Sequence, residues 1–317
     1  MRSERLQHFP VSWFATIMGL SGLTIAWQQA ETVLQLPFHP SPALLVLTSL
    51  LFILFTGLYG FKFMKFKEVV KQEWAHPIKM NFVPTFSISL ILLSIAWLPL
   101  SVNYSRLFWI AGCSAQLLFS LYIISWWIQH TKIEISHLNP AWFIPVVGNV
   151  LVPIAGIEHA PTEVSWFFFS LGLIFWPMLL SIIFYRIIFH GSLPDRLLPT
   201  LFILIAPPAV GFVSYVKLTG SVDAFAHVLY NSGLFFTLLL FFQARLFSRL
   251  QFFLTSWAYS FPLAAITVAS LIMVQHTGSL IYLRLSGLLL GIASVVITGL
   301  FVRTVIAVSR NEICVKD

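Results

Sequence analysis

Three residues on one short stretch superficially resemble the ligands of a metal site. His130, Glu134 and His137 supply two imidazoles and a carboxylate, which are common ligands of zinc and related ions. The stretch is a short connector that ends at Pro140, and a solvated loop explains the three residues better. The chain also lacks a glycine-rich phosphate loop and a convincing pair of nucleophile and base. We therefore predict no metal, no cofactor and no enzymatic activity.

The acidic residues are poorly placed for a proton relay through a membrane. All eleven lie outside the apolar stretches of the chain, whereas proton-driven pumps and symporters usually carry Asp, Glu or His within the bilayer. This weakens the interpretation as a pump. Groups at the loop ends, such as Glu134, Asp195 and His227, could still reach a vestibule, so a coupled carrier stays open.

The composition identifies the solvent as a lipid bilayer. Only 9% of the 317 residues are charged, 58% are hydrophobic and the mean hydropathy is +0.90. A soluble domain carries about a quarter charged residues. The net charge of +7 comes from residues beside apolar stretches and does not indicate nucleic-acid binding. The sequence predicts an all-α integral membrane protein with one domain over residues 1–317, of which about 10–307 are embedded.

Ten stretches are long and apolar enough to cross the bilayer as helices, which takes about 20 residues each. They are Pro10–Gln28, Pro42–Phe61, Met80–Leu98, Leu107–Gln129, Pro140–Ile157, Ser165–Tyr185, Leu197–Val216, Ala224–Ala244, Gln251–Gln275 and Leu285–Val302. Continuous apolar runs of this kind are typical of helices and not of alternating barrel strands.

The loop charges predict how these ten spans are oriented, because cytoplasmic loops carry an excess of Lys and Arg. With the N-terminus inside, fifteen of the 18 basic residues are cytoplasmic and three are outside. The fifteen are Arg2, Arg5, Lys62, Lys65, Lys67, Lys71, Lys79, Lys132, Arg186, Arg196, Arg245, Arg249, Arg303, Arg310 and Lys316, and the three are Arg106, Lys217 and Arg284. The bias favours ten spans with both termini in the cytoplasm.

The first 23 residues have the basic start and apolar stretch of a signal peptide, but we expect them to be retained. No clear cleavage site of small residues follows Met1–Leu23. Cys113 falls inside a span and Cys314 in the C-terminal tail, so both are predicted to be free thiols.

Proline marks the odd-numbered spans. Beyond their first residues these spans hold Pro84, Pro145, Pro153, Pro207, Pro208 and Pro262, whereas the even spans hold only Pro177. A proline frees a carbonyl that must find another partner in a membrane, so kinked helices tend to lie inside a bundle. The odd spans start near residues 10, 80, 140, 197 and 251, which indicates five helical hairpins repeated around an axis.

The odd spans also carry uncharged polar groups, which could line a pathway. They include Ser12, Thr16, Ser21, Thr85, Ser87, Asn149, Ser214, Ser260 and Thr267. The alternative is that these groups bond to their own helix or join neighbouring helices. Gly287 and Gly291 form a GxxxG pattern in the tenth span, which permits close helix contact either within one chain or between chains.

Four sequence stretches carry a resemblance to a known family. They are Trp257-Ala258-Tyr259-Ser260-Phe261-Pro262-Leu263 in the ninth span, Asn139-Pro140-Ala141-Trp142-Phe143-Ile144-Pro145-Val146-Val147-Gly148 at the fifth, Phe9-Pro10-Val11-Ser12-Trp13-Phe14-Ala15 followed by Gly19 and Gly22 in the first, and His76-Pro77-Ile78-Lys79 before the third. In their order and positions they resemble the tellurite-resistance/dicarboxylate transporter family, which includes bacterial TehA and the plant slow-type anion channels. The similarity covers nearly the whole chain.

The resemblance implies a structure and a gate. It implies a homotrimer with one pore per subunit, five hairpins in quasi-fivefold arrangement with the odd helices inside, and a phenylalanine on the ninth helix that occludes the pore. In this sequence that phenylalanine is Phe261, with Pro262 fixing the local bend. Small residues such as Ala15, Gly19 or Gly148 are expected opposite the ring. The further pore-lining residues we predict are Ser12, Thr16, Thr85, Ser87, Asn149, Pro207, Ser214 and Ser260.

The favoured function is an anion channel of a bacterial inner membrane that conducts small anions such as chloride or nitrate. The alternative is a carrier or exporter of dicarboxylates, sulfite or tellurite-like oxyanions, and a membrane enzyme or structural protein is the third hypothesis. The tails are short and lack a long Ser/Thr-rich N-terminal region, so the phosphorylation control implied for the plant members has no obvious counterpart.

Overall fold

The structure, a computed structural model, describes residues 2–129 and 133–314, with the backbone alone for residues 2–4. Met1, His130, Lys132 and Lys316, which entered the predictions above, lie outside the described residues.

The described residues fold into α-helices and short 3₁₀ segments, without a strand. The α-helices are α1 (Arg2–Gln7), α2 (Phe14–Val33), α3 (Ser41–Lys65), α4 (Lys67–Trp74), α5 (Thr85–Trp97), α6 (Val102–Gln129), α7 (Phe143–Val147), α8 (Val152–Gly156), α9 (Thr162–Phe189), α10 (Ala206–Thr219), α11 (Ala224–Phe242), α12 (Ala244–Ser248), α13 (Ser260–Thr277) and α14 (Leu280–Ser309). The all-helical fold class is as predicted.

Eight helical stretches are long and apolar enough to cross a membrane, and they correspond to eight of the ten predicted spans. The first predicted span is helix α2, which has 20 residues but is not among the eight. The fifth is a series of short helical pieces over Pro140–Gly156. Both stretches are packed inside the protein, where polar side chains and broken backbone can find protein partners.

Odd and even stretches differ sharply in burial. Within an apolar window of 18 residues in each of the stretches Lys79–Trp97, Leu198–Thr219 and Leu254–Thr277, 83–89% of the residues are buried, against 22–39% in the corresponding windows of the five even-numbered helices. The even helices α3, α6, α9, α11 and α14 therefore form an outer layer whose apolar side chains face outwards, as a lipid-exposed surface requires. The odd elements form the inner layer.

Prolines mark where the inner α-helices begin and do not kink their middles, which corrects the expectation above. Pro84 directly precedes α5, Pro207 and Pro208 lie in the first turn of α10, and Pro262 lies in the first turn of α13. A first-turn proline removes an N–H that has no helical partner anyway. The proline in a long helix interior is Pro177 of the outer helix α9.

A 3₁₀ segment starts each inner element, and these five segments touch one another in order. They are Val11–Trp13, Lys79–Phe82, Pro140–Trp142, Leu198–Ile205 and Leu254–Tyr259. Each segment contacts the next, and the last contacts the first. All five inner elements therefore begin on the same side of the protein, around a closed ring.

The broken fifth element is held by side chains from its neighbours. The carbonyl of Pro145 accepts hydrogen bonds from Gln116 Nε2 (3.1 Å) and Ser120 Oγ (2.6 Å). The carbonyl of Val152 accepts one from Trp109 Nε1 (3.0 Å), and that of Val150 accepts one from Ser214 Oγ. These donors lie on α6 and α10. They satisfy carbonyls that the interrupted helix leaves without partners.

Replacing Gln116 with leucine is expected to destabilise the protein by about 1–3 kcal/mol, because buried polar groups lose their partner. Gln116 is fully buried and also accepts a 2.6 Å hydrogen bond from Ser87 Oγ on α5. The melting temperature in detergent should fall for Gln116→Leu. The control is Gln72→Leu at an exposed position, which should leave the melting temperature unchanged. Equal melting temperatures for the two variants would contradict the role assigned to Gln116.

Glycines allow outer helices to approach the inner layer closely. A Cβ added to Gly172 of α9 would lie 3.0 Å from the backbone nitrogen of Val150 and 3.1 Å from the carbonyl oxygen of Val147. A Cβ added to Gly112 of α6 would likewise lie 3.0 Å from the backbone nitrogen of Ile91. By contrast, added Cβ atoms at Gly287 and Gly291 would meet no described atom within 4 Å. The GxxxG pattern of α14 therefore makes no close helix contact within the described chain.

Candidate functional site

A cavity of about 70 Å³ lies among the beginnings of the five inner elements. All five contribute to its wall. The lining residues are Ser12, Ala15, Met18, Phe82, Thr85, Ile88, Phe143, Ile144, Val147, Gly148, Val150, Leu151, Ile203, Ala206, Pro207, Val210, Leu254, Thr255, Trp257, Ala258, Phe261 and Pro262. Every one of these residues is uncharged, and the wall is almost entirely apolar. The space is large enough for a few waters or a small ion.

Seven of the predicted site residues meet at this cavity, and six lie elsewhere. Those in the lining are Ser12, Ala15, Thr85, Gly148, Pro207, Phe261 and Pro262. Those outside it are Thr16, Gly19, Ser87, Asn149, Ser214 and Ser260.

Most of the residues outside the cavity join helices or bond to their own backbone. Ser87 bonds to Gln116, Ser214 to the carbonyl of Val150, and Asn149 Nδ2 to Ser120 Oγ at 2.9 Å. Ser260 and Thr267 donate to carbonyls of preceding residues. This is the alternative that the sequence left open. The hydroxyls of Thr16 and Ser21 are buried and have no hydrogen-bond partner among the residues that the structure describes.

The ring of Phe261 lies against α2. A Cβ added to Gly22 would lie 3.3 Å from Phe261 Cδ2 and 2.9 Å from Ala264 Cβ. One turn earlier, Gly19 faces Ser260 and the ring of Trp257. Gly22 is therefore the small residue that receives the edge of the Phe261 ring. The sequence already pointed to Gly19 and Gly22 as part of a motif, but it named Gly19 as a possible partner of the ring and not Gly22, because the rotation of α2 was unknown; Gly22 itself is not in the cavity wall.

Only one hydroxyl in the cavity wall makes no hydrogen bond within the described chain. Thr85 Oγ1 donates to the carbonyl of Phe82 at 2.6 Å, Thr255 Oγ1 to the carbonyl of Arg196, and Trp257 Nε1 to Thr304 Oγ1 at 2.9 Å. The Ser12 hydroxyl has no such bond among the described residues. An ion in the cavity would meet this hydroxyl and otherwise mainly hydrocarbon.

Sequence reasoning missed the apolar character of the wall and one buried ion pair. Phe82, Phe143, Ile203 and the other apolar lining residues gave no distinguishing signal among so many apolar residues. Lys62 was counted as a loop cation, but its side chain is 3% exposed and pairs with Glu73, which is 7% exposed. A basic residue three positions before the end of α3 was the available hint.

The remaining titratable groups lie away from the cavity. The backbone N–H of Glu134 donates to His137 Nδ1 (3.1 Å), and both residues are on an exposed turn. Asp195 and His227 are exposed. Cys113 and Cys314 are free thiols. Burial, aided by nearby Arg106, lowers the pKa of His159 on the turn after α8.

A helical protein with apolar spans and an uncharged inner cavity belongs to the class of membrane channels and transporters, and comparisons with known proteins agree. The model of the family described as voltage-dependent anion channel matches residues 8–305. The chain therefore belongs to this family, which includes the tellurite-resistance protein and slow-type anion channel relatives, and the resemblance noted in the sequence is confirmed.

Relatives come from archaea, bacteria and plants. An uncharacterized transporter of Methanocaldococcus jannaschii is 27% identical over 81% of this chain and 82% of its own length. The tellurite resistance protein TehA homolog of Haemophilus influenzae is 29% identical over 81% of this chain and 78% of its own. The S-type anion channel SLAH2 of Arabidopsis thaliana is 29% identical over 96% of this chain, which corresponds to 58% of the plant protein.

Proposed function

We propose that this protein is an anion channel for small anions such as chloride and nitrate. The observation that carries the proposal is the cavity among the beginnings of five inner elements, whose wall is uncharged and includes Phe261. The proposed architecture has ten transmembrane helices as five hairpins in quasi-fivefold arrangement. The closed ring of contacts between the five 3₁₀ segments and the deep burial of the odd elements support it.

Anion preference is proposed to come from the backbone. The N-terminal end of a helix carries about half a positive charge and unpaired N–H groups, which favour anions. Five inner elements begin around one cavity, so the partial positive charges of their N-terminal ends are proposed to act there through the apolar wall; the first element contributes least, because its Val11 N–H already donates to the Glu73 carboxylate. Because no lysine or arginine lines the wall, selectivity among anions is expected to be weak and to follow the ease of dehydration.

Phe261 is the proposed gate. Its ring lines the cavity and rests against Gly22. An apolar ring in a narrow passage excludes water, and a partly dehydrated ion crosses such a point only at high cost. Pro262, directly after it in the first turn of α13, limits how far the backbone beside the ring can move.

The proposed location is a bacterial inner membrane, with both termini in the cytoplasm, so the cavity lies towards the cytoplasmic side. The fifteen-to-three distribution of basic residues supports this orientation. We also propose a homotrimer, as the family resemblance implies.

A second candidate is a carrier or exporter of dicarboxylates, sulfite or tellurite-like oxyanions. It is favoured by relatives that are named as a transporter and as a tellurite resistance protein.

The distinguishing experiment is anion flux from liposomes that contain the purified protein. A channel should release chloride and nitrate at a rate that rises with concentration and is independent of a pH gradient. Uptake that saturates at low flux and requires a proton gradient would instead support the carrier. Absence of flux for chloride, nitrate, malate and sulfite would contradict both candidates.

A further inference from the structure

A buried ion pair lies at the start of the first inner helix. Lys62 Nζ and Glu73 Oε2 are 2.7 Å apart, and their side chains are 3% and 7% exposed. Lys62 is in the last turn of α3, and Glu73 is on the connecting helix α4. Neither residue lines the cavity. Burying two charges is costly unless each finds further hydrogen bonds.

Those further bonds go to the backbone on both sides of Pro10. Lys62 Nζ donates to the carbonyl of Phe9 at 2.8 Å, and Glu73 Oε1 accepts from the backbone N–H of Val11 at 2.8 Å. Val11 is the first residue of its 3₁₀ segment, so its N–H has no partner within the helix. A carboxylate at this position also interacts favourably with the helix dipole.

Aromatic residues around the pair fix it in place. Tyr59 donates to Glu73 Oε2 at 3.3 Å and accepts from Trp74 Nε1 at 3.1 Å. Phe9 stacks on Trp13 with ring centroids 5.4 Å apart, and both rings pack on Phe55 of α3. The start of the first inner helix is therefore attached to the outer helix α3 and to the connector α4.

The residues that follow lead directly to the cavity and the Phe261 ring. The 3₁₀ segment from Val11 runs without interruption into α2. Ser12 and Ala15 then line the cavity, and Gly22 contacts Phe261. The twelve helical residues from Val11 to Gly22 span about 16 Å. The stretch is continuously helical and holds no proline, which is the usual cause of a kink, so a shift at Val11 is expected to reach Gly22.

We propose that Lys62 and Glu73 are positioning residues for the gate. They set the axial position and rotation of α2, and thereby hold Gly22 against the Phe261 ring. The inference rests on the proposed function, because it assigns the pair a role through Phe261. Releasing the start of α2 should withdraw Gly22 from the ring and raise the resting anion conductance.

The test is a double-mutant cycle between Glu73→Gln and Phe261→Ala, measured as chloride current in planar bilayers. Glu73→Gln removes the charge that pairs with Lys62 but keeps the side-chain shape. We expect a severalfold rise in conductance when Phe261 is present and no change when residue 261 is alanine, because coupled residues give non-additive effects. The matched control is Glu68→Gln on the same helix, where the Glu68–Lys71 pair is exposed; it should leave both backgrounds unchanged.

A second variant keeps the test decisive if Glu73→Gln does not fold. Val11→Pro removes the N–H that Glu73 accepts from while both charges stay. Pro10 has φ −82° and ψ 155°, which suits a residue before proline, and proline is tolerated at a first helical position. It should reproduce the conductance rise in the parent and have no effect in Phe261→Ala.

The outcomes separate this inference from the function on which it rests. Equal effects of the folded variants in both backgrounds, or none in the parent, would overturn the positioning role. If Phe261→Ala itself leaves the conductance unchanged, the gate assignment is wrong and the positioning role falls with it. If flux is absent from every variant, the channel proposal fails first.

Discussion

Replacing Phe261 with alanine is expected to raise the anion conductance about 30-fold. The ring rests on Gly22, and Phe261 is part of the apolar wall of the cavity. Removing it opens space for water beside the ion, and a barrier lower by about 2 kcal/mol corresponds to that change in rate. Single-channel or macroscopic chloride currents in bilayers measure it directly.

Two further variants make the Phe261 result specific. Phe261→Leu keeps an apolar side chain of smaller width, so its conductance should lie between those of the parent and Phe261→Ala. Phe242→Ala removes a ring that is 91% exposed on the outer helix α11, and the conductance should not change. Unchanged current in Phe261→Ala, with normal yield and a normal melting temperature, would rule out the gate.

Replacing Gly172 with leucine is expected to prevent normal packing of the outer helix α9 on the fifth inner element. The new Cβ would lie 2.6 Å from Val150 Cγ1, 3.0 Å from the nitrogen of Val150 and 3.1 Å from the carbonyl oxygen of Val147. A side-chain atom can rotate away, but the backbone atoms cannot. The helices must separate, at a cost of about 3 kcal/mol or more. The melting temperature in detergent and the yield of monodisperse protein should both fall.

Gly287→Leu is the matched control for Gly172→Leu. Gly287 is also in an outer helix, but a Cβ there would meet no described atom of the chain within 4 Å. The same added volume displaces no described atom, and leucine suits a helix better than glycine by roughly 1 kcal/mol at most, so the melting temperature should stay the same or rise slightly. If both leucine variants melt at the same temperature, close packing at Gly172 is not important.

The odd stretches were correctly predicted to lie inside, but the expected kinks at their prolines were wrong. Proline on the odd stretches predicted that they are inside, and their burial agrees. The prolines were expected to kink helices, yet Pro84, Pro207 and Pro262 lie at or next to helix starts. Sequence spacing alone could not locate these starts, because a 3₁₀ segment and an α-helix present the same apolar composition.

The polar residues of the inner elements show a different limit. Ser12 and Ser87 are equally plausible pore residues in the sequence, but Ser12 lines the cavity while Ser87 bonds to Gln116 of α6. A rotation of about 100° per residue separates the faces of one helix. When a helix is buried on nearly every side, apolar periodicity no longer indicates which face is which.

The sequence by itself determined the solvent, the helical class and the family. These depend on composition, on the length of apolar runs and on short motifs in a fixed order, and all three are properties of the chain read in one dimension. Only the tertiary structure decided which side chains meet. It brought Gly22 to Phe261, paired Lys62 with Glu73 eleven residues away, and attached that pair to the backbone beside Pro10. Such contacts depend on the rotation and offset of packed helices, which small residues and buried hydrogen bonds fix and which no local pattern records.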